Sequence, residues 1–300
     1  MMRNELIALM PGKGPPDSLD GCSIVRADGN AAIISKVRLI PRVRRADVLR
    51  AAVDRARLFE TLMSHGTVLP ALPGQRIRES DVARLVAANL PALARLSDRL
   101  RGTSQYQITV RWDASRAVAH FGRLDLPTGK QPELSMIAAT LRAQVTARLA
   151  ATGAEVLPLP VTGDVVSNSV VLLEERLSAM LDATVAEIDA LWSDGLGIRM
   201  IGPYPAVSFA SLIFDRVDRP AIEAAQGAFG LRPGFSEETL RTARRAVLMQ
   251  SGADAHELLR RQADLLACVA RIGDSRAPVH VARVWSDGMS SASGAVARAA

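Results

Sequence analysis

The chain has 300 residues, 48% of them hydrophobic, and a net charge of +6 from 37 basic and 31 acidic residues. Such a composition supports sizeable cores and excludes wholesale disorder. No apolar run approaches the roughly 20 residues that a membrane-spanning helix needs. Apart from Lys13, Lys36 and Lys130 the cations are arginines, interleaved with acids in most segments. With aromatics at 4% there is no stacking platform for single-stranded nucleic acid, so the charge reads as solvated helix faces. Cys22 and Cys268 match no metal-ligand spacing and read as core thiols of a reducing compartment. The first residues lack a secretory pattern, and the expected location is cytoplasmic.

In chain order, residues 1–20 end in the Gly/Pro-rich "PGKGPPDSLD" and read as a flexible leader. An N-terminal α/β module is expected over 21–102. It opens with two short β-prone runs around Asp28-Gly29-Asn30, a hairpin signal. Val48, Leu49, Val53, Phe59, Leu62 and Met63 recur at helical spacing up to a stop at Gly66. A second amphipathic helix is expected over 79–100, kinked or split at Pro91.

Over 103–215 the order becomes β-α-β-β-α-β. Tyr106, Ile108, Val110 and Trp112 alternate on one strand face. A helix over 132–153 follows, then strands in "EVLPLPV" and "SNSVVLLEE", a helix ending at Gly195, and a last strand "LGIRMIG". That is the split βαβ order of a ferredoxin-like sheet with both helices on one face. The last strand runs into "GPYPAVSF", Gly202 to Phe209. Pro203 cannot donate a ladder bond, so pairing is expected to end there, with Tyr204 and Phe209 packed beneath the sheet end. Residues 216–285 read as a helical C-terminal extension with helices at 221–229, 237–249 and 256–272 and a final strand "APVHVARVW". Residues 286–300 read as a disordered tail. The fold class is α+β.

Nothing in the sequence assembles a catalytic set. His65, His120, His256 and His280 fall in four different elements, with no metal-binding pair. Phosphate-cradling loops and a nucleophile elbow are absent. Glu174-Glu175 and Asp215/Asp218 read as capping or solvated carboxylates. No catalytic, cofactor-binding or metal-binding residue is expected, and no cofactor.

"GPYPAVSF" resembles the Gly-Pro-Trp-Pro-Pro-Tyr-Ser-Phe signature of the gas vesicle GvpL/GvpF family. Gly202, Pro203, Pro205, Ser208 and Phe209 match, Tyr204 replaces the tryptophan, and Ala206 and Val207 depart. "GNAAIISKV", "LMSHGTVLPALPG" and "LRGTSQYQITVRWD" resemble further family segments in the same order. Leu72-Pro73 stands where the family favours Arg-Phe, and Gln105 where it favours Glu. The resemblance implies a two-domain α+β protein with a non-enzymatic, chaperone-like or minor structural role in gas vesicle assembly. It implies as partners the small hydrophobic shell protein GvpA and other gas vesicle accessory proteins, with no nucleic acid and no membrane, and a cytoplasmic, vesicle-associated location. The motif corner, Gly202, Pro203, Tyr204, Pro205, Ser208 and Phe209, is the expected partner-binding site, in a groove between the two domains. The competing reading is a nucleic-acid-binding regulator that uses the ferredoxin-like sheet. Residues 228–269 are also similar in rhythm to a J-domain, but lack its His-Pro-Asp triplet; a plain helical extension is the simpler expectation.

Overall fold

The computed structural model describes residues 3–16, 19, 21–37, 45–121, 134–251, 255–273 and 278–286. Its elements run β1 (Arg3–Pro11), β2 (Cys22–Ala27), β3 (Asn30–Val37), α1 (Arg45–Met63), β4 (Leu69–Pro70), β5 (Arg76–Ile77) and α2 (Val82–Leu100). Then come β6 (Thr103–Trp112), α3 (Ala114–Phe121), α4 (Leu134–Ala151), β7 (Glu155–Pro158), β8 (Val165–Glu174), α5 (Ser178–Asp189) and β9 (Leu196–Tyr204). The chain finishes with β10 (Ser211–Val217), α6 (Arg219–Ala228), α7 (Glu237–Gln250), α8 (His256–Ile272) and β11 (Val279–Trp285). The fold is α+β and divides into two compact units, Met1–Arg99 with Ala210–Trp285, and Leu100–Phe209.

In the first unit, β2, β3, β1 and β4 lie side by side in that order, and β5 also pairs with β1. The β2–β3 hairpin turns at Asp28 (φ 45°) and Gly29 (φ 70°), the two positive φ angles of a tight primed turn. The expected 1–20 leader is corrected by β1, the strand that pairs with β3, β4 and β5. Leu6, Leu9 and Met10 are fully buried. Their near-continuous apolar run is what a central strand needs when both its faces are covered. Arg55 of α1 ties this strand to the following loop. Its guanidinium pairs with Glu5 at 3.0 Å and donates to the Ala71 carbonyl at 2.6 Å, while Glu5 accepts the Gly74 amide at 2.9 Å.

A second correction concerns 216–285. This segment is no appendage, because its strand and helices complete the core of the first unit. β10 pairs antiparallel with β11 along its whole length, and Leu72 donates its amide to the Leu212 carbonyl. Ile222, Ala225, Phe229, Leu240, Leu266 and Val269 form one apolar cluster with Ala88 of α2. Accordingly residues 210–215, expected in the 103–215 domain, belong with the rest of β10 to the first unit. Of the kink or split expected at Pro91, the split does not occur, because α2 continues through Pro91 as one helix. The burial of Val82, Leu85, Val86, Leu93 and Leu96 along its length outweighs the missing proline donor.

The second unit carries a four-stranded antiparallel sheet in the order β7-β8-β6-β9. Ile137, Leu141, Val145 and Leu149 of α4, with Leu181 and Ile188 of α5, bury against Ile108, Val110, Val171 and Leu173. The short helix α3 has no counterpart in the expected elements. It is held by His120 stacked on Trp192 (centroids 4.9 Å apart, planes at 15°) and by the Arg116–Asp194 pair at 2.6 Å. The tail expected to be disordered falls, from residue 287 on, outside the described residues.

Candidate partner-binding corner

Strand β9 pairs with β6 in regular register from Leu196↔Trp112 to Ile201↔Gln107. Pairing was expected to stop at Pro203, yet Tyr204 pairs with Gln105. Gly202 and Pro203 together oppose Tyr106, a bulge that sets two residues against one and lets the ladder continue past a residue without an N–H. Gly202 carries the bulge at φ +146°, a backbone region that L side chains rarely adopt. A Cβ there would lie 2.8 Å from both the Gln105 carbonyl oxygen and the Tyr106 ring. The Gly202–Pro203 peptide is cis.

Beyond Tyr204 the chain turns tightly. Val207 donates its amide to the Pro205 carbonyl at 2.6 Å, and Phe209 donates to Ala206 at 3.1 Å. Pro205, Ala206 and Phe209 are buried, Tyr204, Val207 and Ser208 half-buried, and Gly202 and Pro203 exposed. Phe209 therefore anchors the corner, and the bulge is its outer tip.

The turn is fixed from the neighbouring strand. The Ser208 amide donates to Gln105 Oε1 at 2.9 Å, and Gln105 Nε2 donates to Ser208 Oγ at 3.3 Å. Sequence comparison marked Gln105 only as a departure from a family glutamate. The amide suits the place, since it is 5% exposed and one neutral group both accepts and donates. An amide-bearing residue in an otherwise half-buried alternating strand was the one available signal.

The corner offers shape and apolar surface; Tyr204 is its only titratable side chain. Nearby, burial raises the Tyr106 phenol above its ordinary range, with smaller contributions from the Asp182 and Glu175 carboxylates. Tyr106 and Trp112, the strand aromatics, pack against the helix-side core of the second unit. The four histidines stay in separate elements: His65 after α1, His120 on α3, His256 opening α8 and His280 on β11. The carboxylates singled out earlier are all engaged. Glu174 pairs with Arg176, Glu175 accepts from Ser104, Asp215 pairs with Arg283, and Asp218 pairs with Arg216. Among the described residues no group of three or more His, Cys, Asp or Glu is placed to hold a metal ion, and no helix is long and apolar enough to cross a membrane.

Residues 18–135 match the family model for the gas vesicle synthesis protein GvpL/GvpF, a segment that ends before the corner. No curated protein matches the chain. Among solved structures, GvpF from Anabaena sp. PCC7120 is similar at 18% identity and a TM-score of 0.54, over 70% of this chain and 96% of its own. GvpF from Microcystis aeruginosa is similar at 20% identity and a TM-score of 0.53, over 70% of this chain and 99% of its own. At these identities the likeness is one of fold. Residues 18–135 thus resemble the gas vesicle GvpL/GvpF family, and the chain shares the fold of two GvpF proteins.

Proposed function

We propose that the protein is a non-enzymatic accessory or minor structural component of gas vesicle assembly that binds the small hydrophobic shell protein GvpA and other accessory proteins. The family match over residues 18–135 carries this reading. The physical need is plain: an unassembled shell subunit exposes apolar surface and strand edges, which aggregate unless covered. The rigid corner at Gly202, Pro203, Tyr204, Pro205, Ser208 and Phe209 suits a partner of that kind, because it is preorganised and carries no charged side chain. The ferredoxin-like order of the second unit supplies a sheet on which such contacts are built. The protein then acts in the cytoplasm, in association with the vesicle.

A nucleic-acid-binding role is the competing reading. It needs aromatics free to stack on bases, and both Tyr106 and Trp112 are committed to the core.

The test is co-expression with the shell protein from the same source, followed by affinity retention at low and high salt. Retention at both supports capture through apolar surface. Retention of nucleic acid, lost steeply as salt rises, favours the competing reading. No retention of the shell protein at either salt overturns direct capture.

A further inference from the structure

We infer that the outer edge of β9, from Leu196 to Ile201, is a strand-addition site for an extended apolar segment that carries a carboxylate. The inference rests on the shell-capture reading and names the surface that performs it.

Sheet edges invite pairing with foreign strands, and proteins protect them with prolines, bulges, charges or brevity. The other edge strands here are guarded. β7 is four residues long, ends in Pro158 and is followed by Pro160. At β2, Arg26 reaches across to the Lys13 and Pro15 carbonyls, and Leu19 bridges to Cys22. Strand β9 is different. Its bulge and Pro203 protect only its last third, and Leu196 to Ile201 contains no proline and one charge, Arg199. Among the described residues no strand pairs with its outer side.

The side chains specify the occupant. Leu196, Ile198 and Met200 lie on the helix-covered side, where the first two join the core. Met200, two residues further along that row, is 40% exposed. An added strand with apolar residues at alternate positions extends this row. On the opposite side Gly197 offers no bulk, so a neighbouring backbone can approach closely. Arg199 beside it is exposed and has no carboxylate partner among the described residues. An acid on the incoming strand opposite Arg199 completes the pairing. A second copy of the chain fits worse: two-fold pairing centred on Arg199 sets the guanidinium against itself, and centring on Ile198 leaves both arginines unneutralised.

The test is amide hydrogen exchange on the full chain, alone and co-purified with the shell protein, repeated with Met200→Lys and Arg199→Glu. Both substituted side chains are exposed, and thermal denaturation confirms that each variant folds. The expected result is at least a tenfold slowing of exchange at outward-facing β9 amides in the complex, and at least a tenfold loss of shell-protein retention in both variants. A complex in which β9 exchange is unchanged, or which both variants retain fully, overturns the edge site and leaves shell capture standing. No complex with the unmodified chain overturns shell capture, and the edge site as its surface with it. Concentration-dependent protection of β9 in the chain alone assigns the edge to a second copy and also overturns the proposal.

Discussion

Gln105 and Ser208, 103 residues apart, hold each other through two hydrogen bonds, and this clasp fixes the turn that follows β9. Replacing Gln105 by Leu leaves the Ser208 amide without its acceptor in a part-buried place. The expected cost is about 1–3 kcal/mol. Ser208→Ala removes only the weaker contact, through Oγ, and should cost about 1 kcal/mol or less. Urea denaturation of the two single variants and the double variant checks the pairing. A coupling free energy of about 0.5 kcal/mol or more is expected, and strict additivity would dissolve the clasp.

Asn89 performs a similar service in the first unit, with more bonds. Its Nδ2 donates to the Leu85 and His280 carbonyls at 2.8 and 2.7 Å, and its Oδ1 accepts the Ala282 amide at 2.8 Å. It thereby joins α2 to β11 from a site only 2% exposed. Asn89→Ala strands the Ala282 amide and the His280 carbonyl, at an expected cost of about 3 kcal/mol. Hydrogen exchange at Ala282 should accelerate more than exchange at amides of the N-terminal hairpin.

The imidazole of His280 sets an acid limit. Burial is the first cause that lowers its pKa from the ordinary 6.5; the Arg216 and Arg84 charges lower it further, and Asp81 opposes them. A depressed folded pKa means that the unfolded chain takes up the proton first as pH falls. The stabilisation is therefore present above about 6.5 and is lost on acidification through the folded value. His280→Gln should flatten the stability profile below pH 6.5 and leave it unchanged at pH 8. Denaturant midpoints measured across that range check the sign.

Cys268 sets the opposite limit. Burial pushes its thiol up to about 11, although the Arg271 charge pulls the other way. The unfolded chain then ionises first as pH rises, so the contribution holds below about 9 and is lost between there and about 11. The same burial slows thiolate chemistry. An aromatic disulfide reagent at pH 8 should label the half-buried Cys22 first and reach Cys268 only at a rate set by unfolding. Equal labelling rates at both thiols would contradict the buried setting.

Which parts of this architecture could be read from sequence follows from the range of the interactions that fix them. The Asp28-Gly29 turn was legible because two adjacent residues supply both positive φ angles. β6 was legible because Ile108 and Val110 alternate with polar partners on a half-buried strand. β1 was missed because its burial on both faces erases the alternation, and the glycines and prolines after it suggest a leader. The place of β10 and β11 was missed because strands more than 60 residues apart meet only once the intervening helices have packed. The corner's sequence was conspicuous, but the reason for its shape sat on another strand. No local pattern links Ser208 to Gln105.

Gly202 gives the sharpest test of that corner. Its φ of +146° and the 2.8 Å approach of both the Gln105 carbonyl and the Tyr106 ring leave no place for a methyl group. Backbone cannot move aside as the far end of a flexible side chain can, so Gly202→Ala must distort the bulge or flatten it. The expected cost is about 2–3 kcal/mol from the strained backbone and the overlap together. Gly197 on the same strand is the internal control. A Cβ there meets nothing within 4 Å, and Gly197→Ala should change stability by no more than about 0.5 kcal/mol. Thermal denaturation separates the two variants, and shell-protein retention then reports on function. If Gly202→Ala folds but binds at least tenfold more weakly, the shape of the bulge is what the partner reads. If it binds normally, the bulge serves only to carry the strand past Pro203, and the contact surface lies elsewhere.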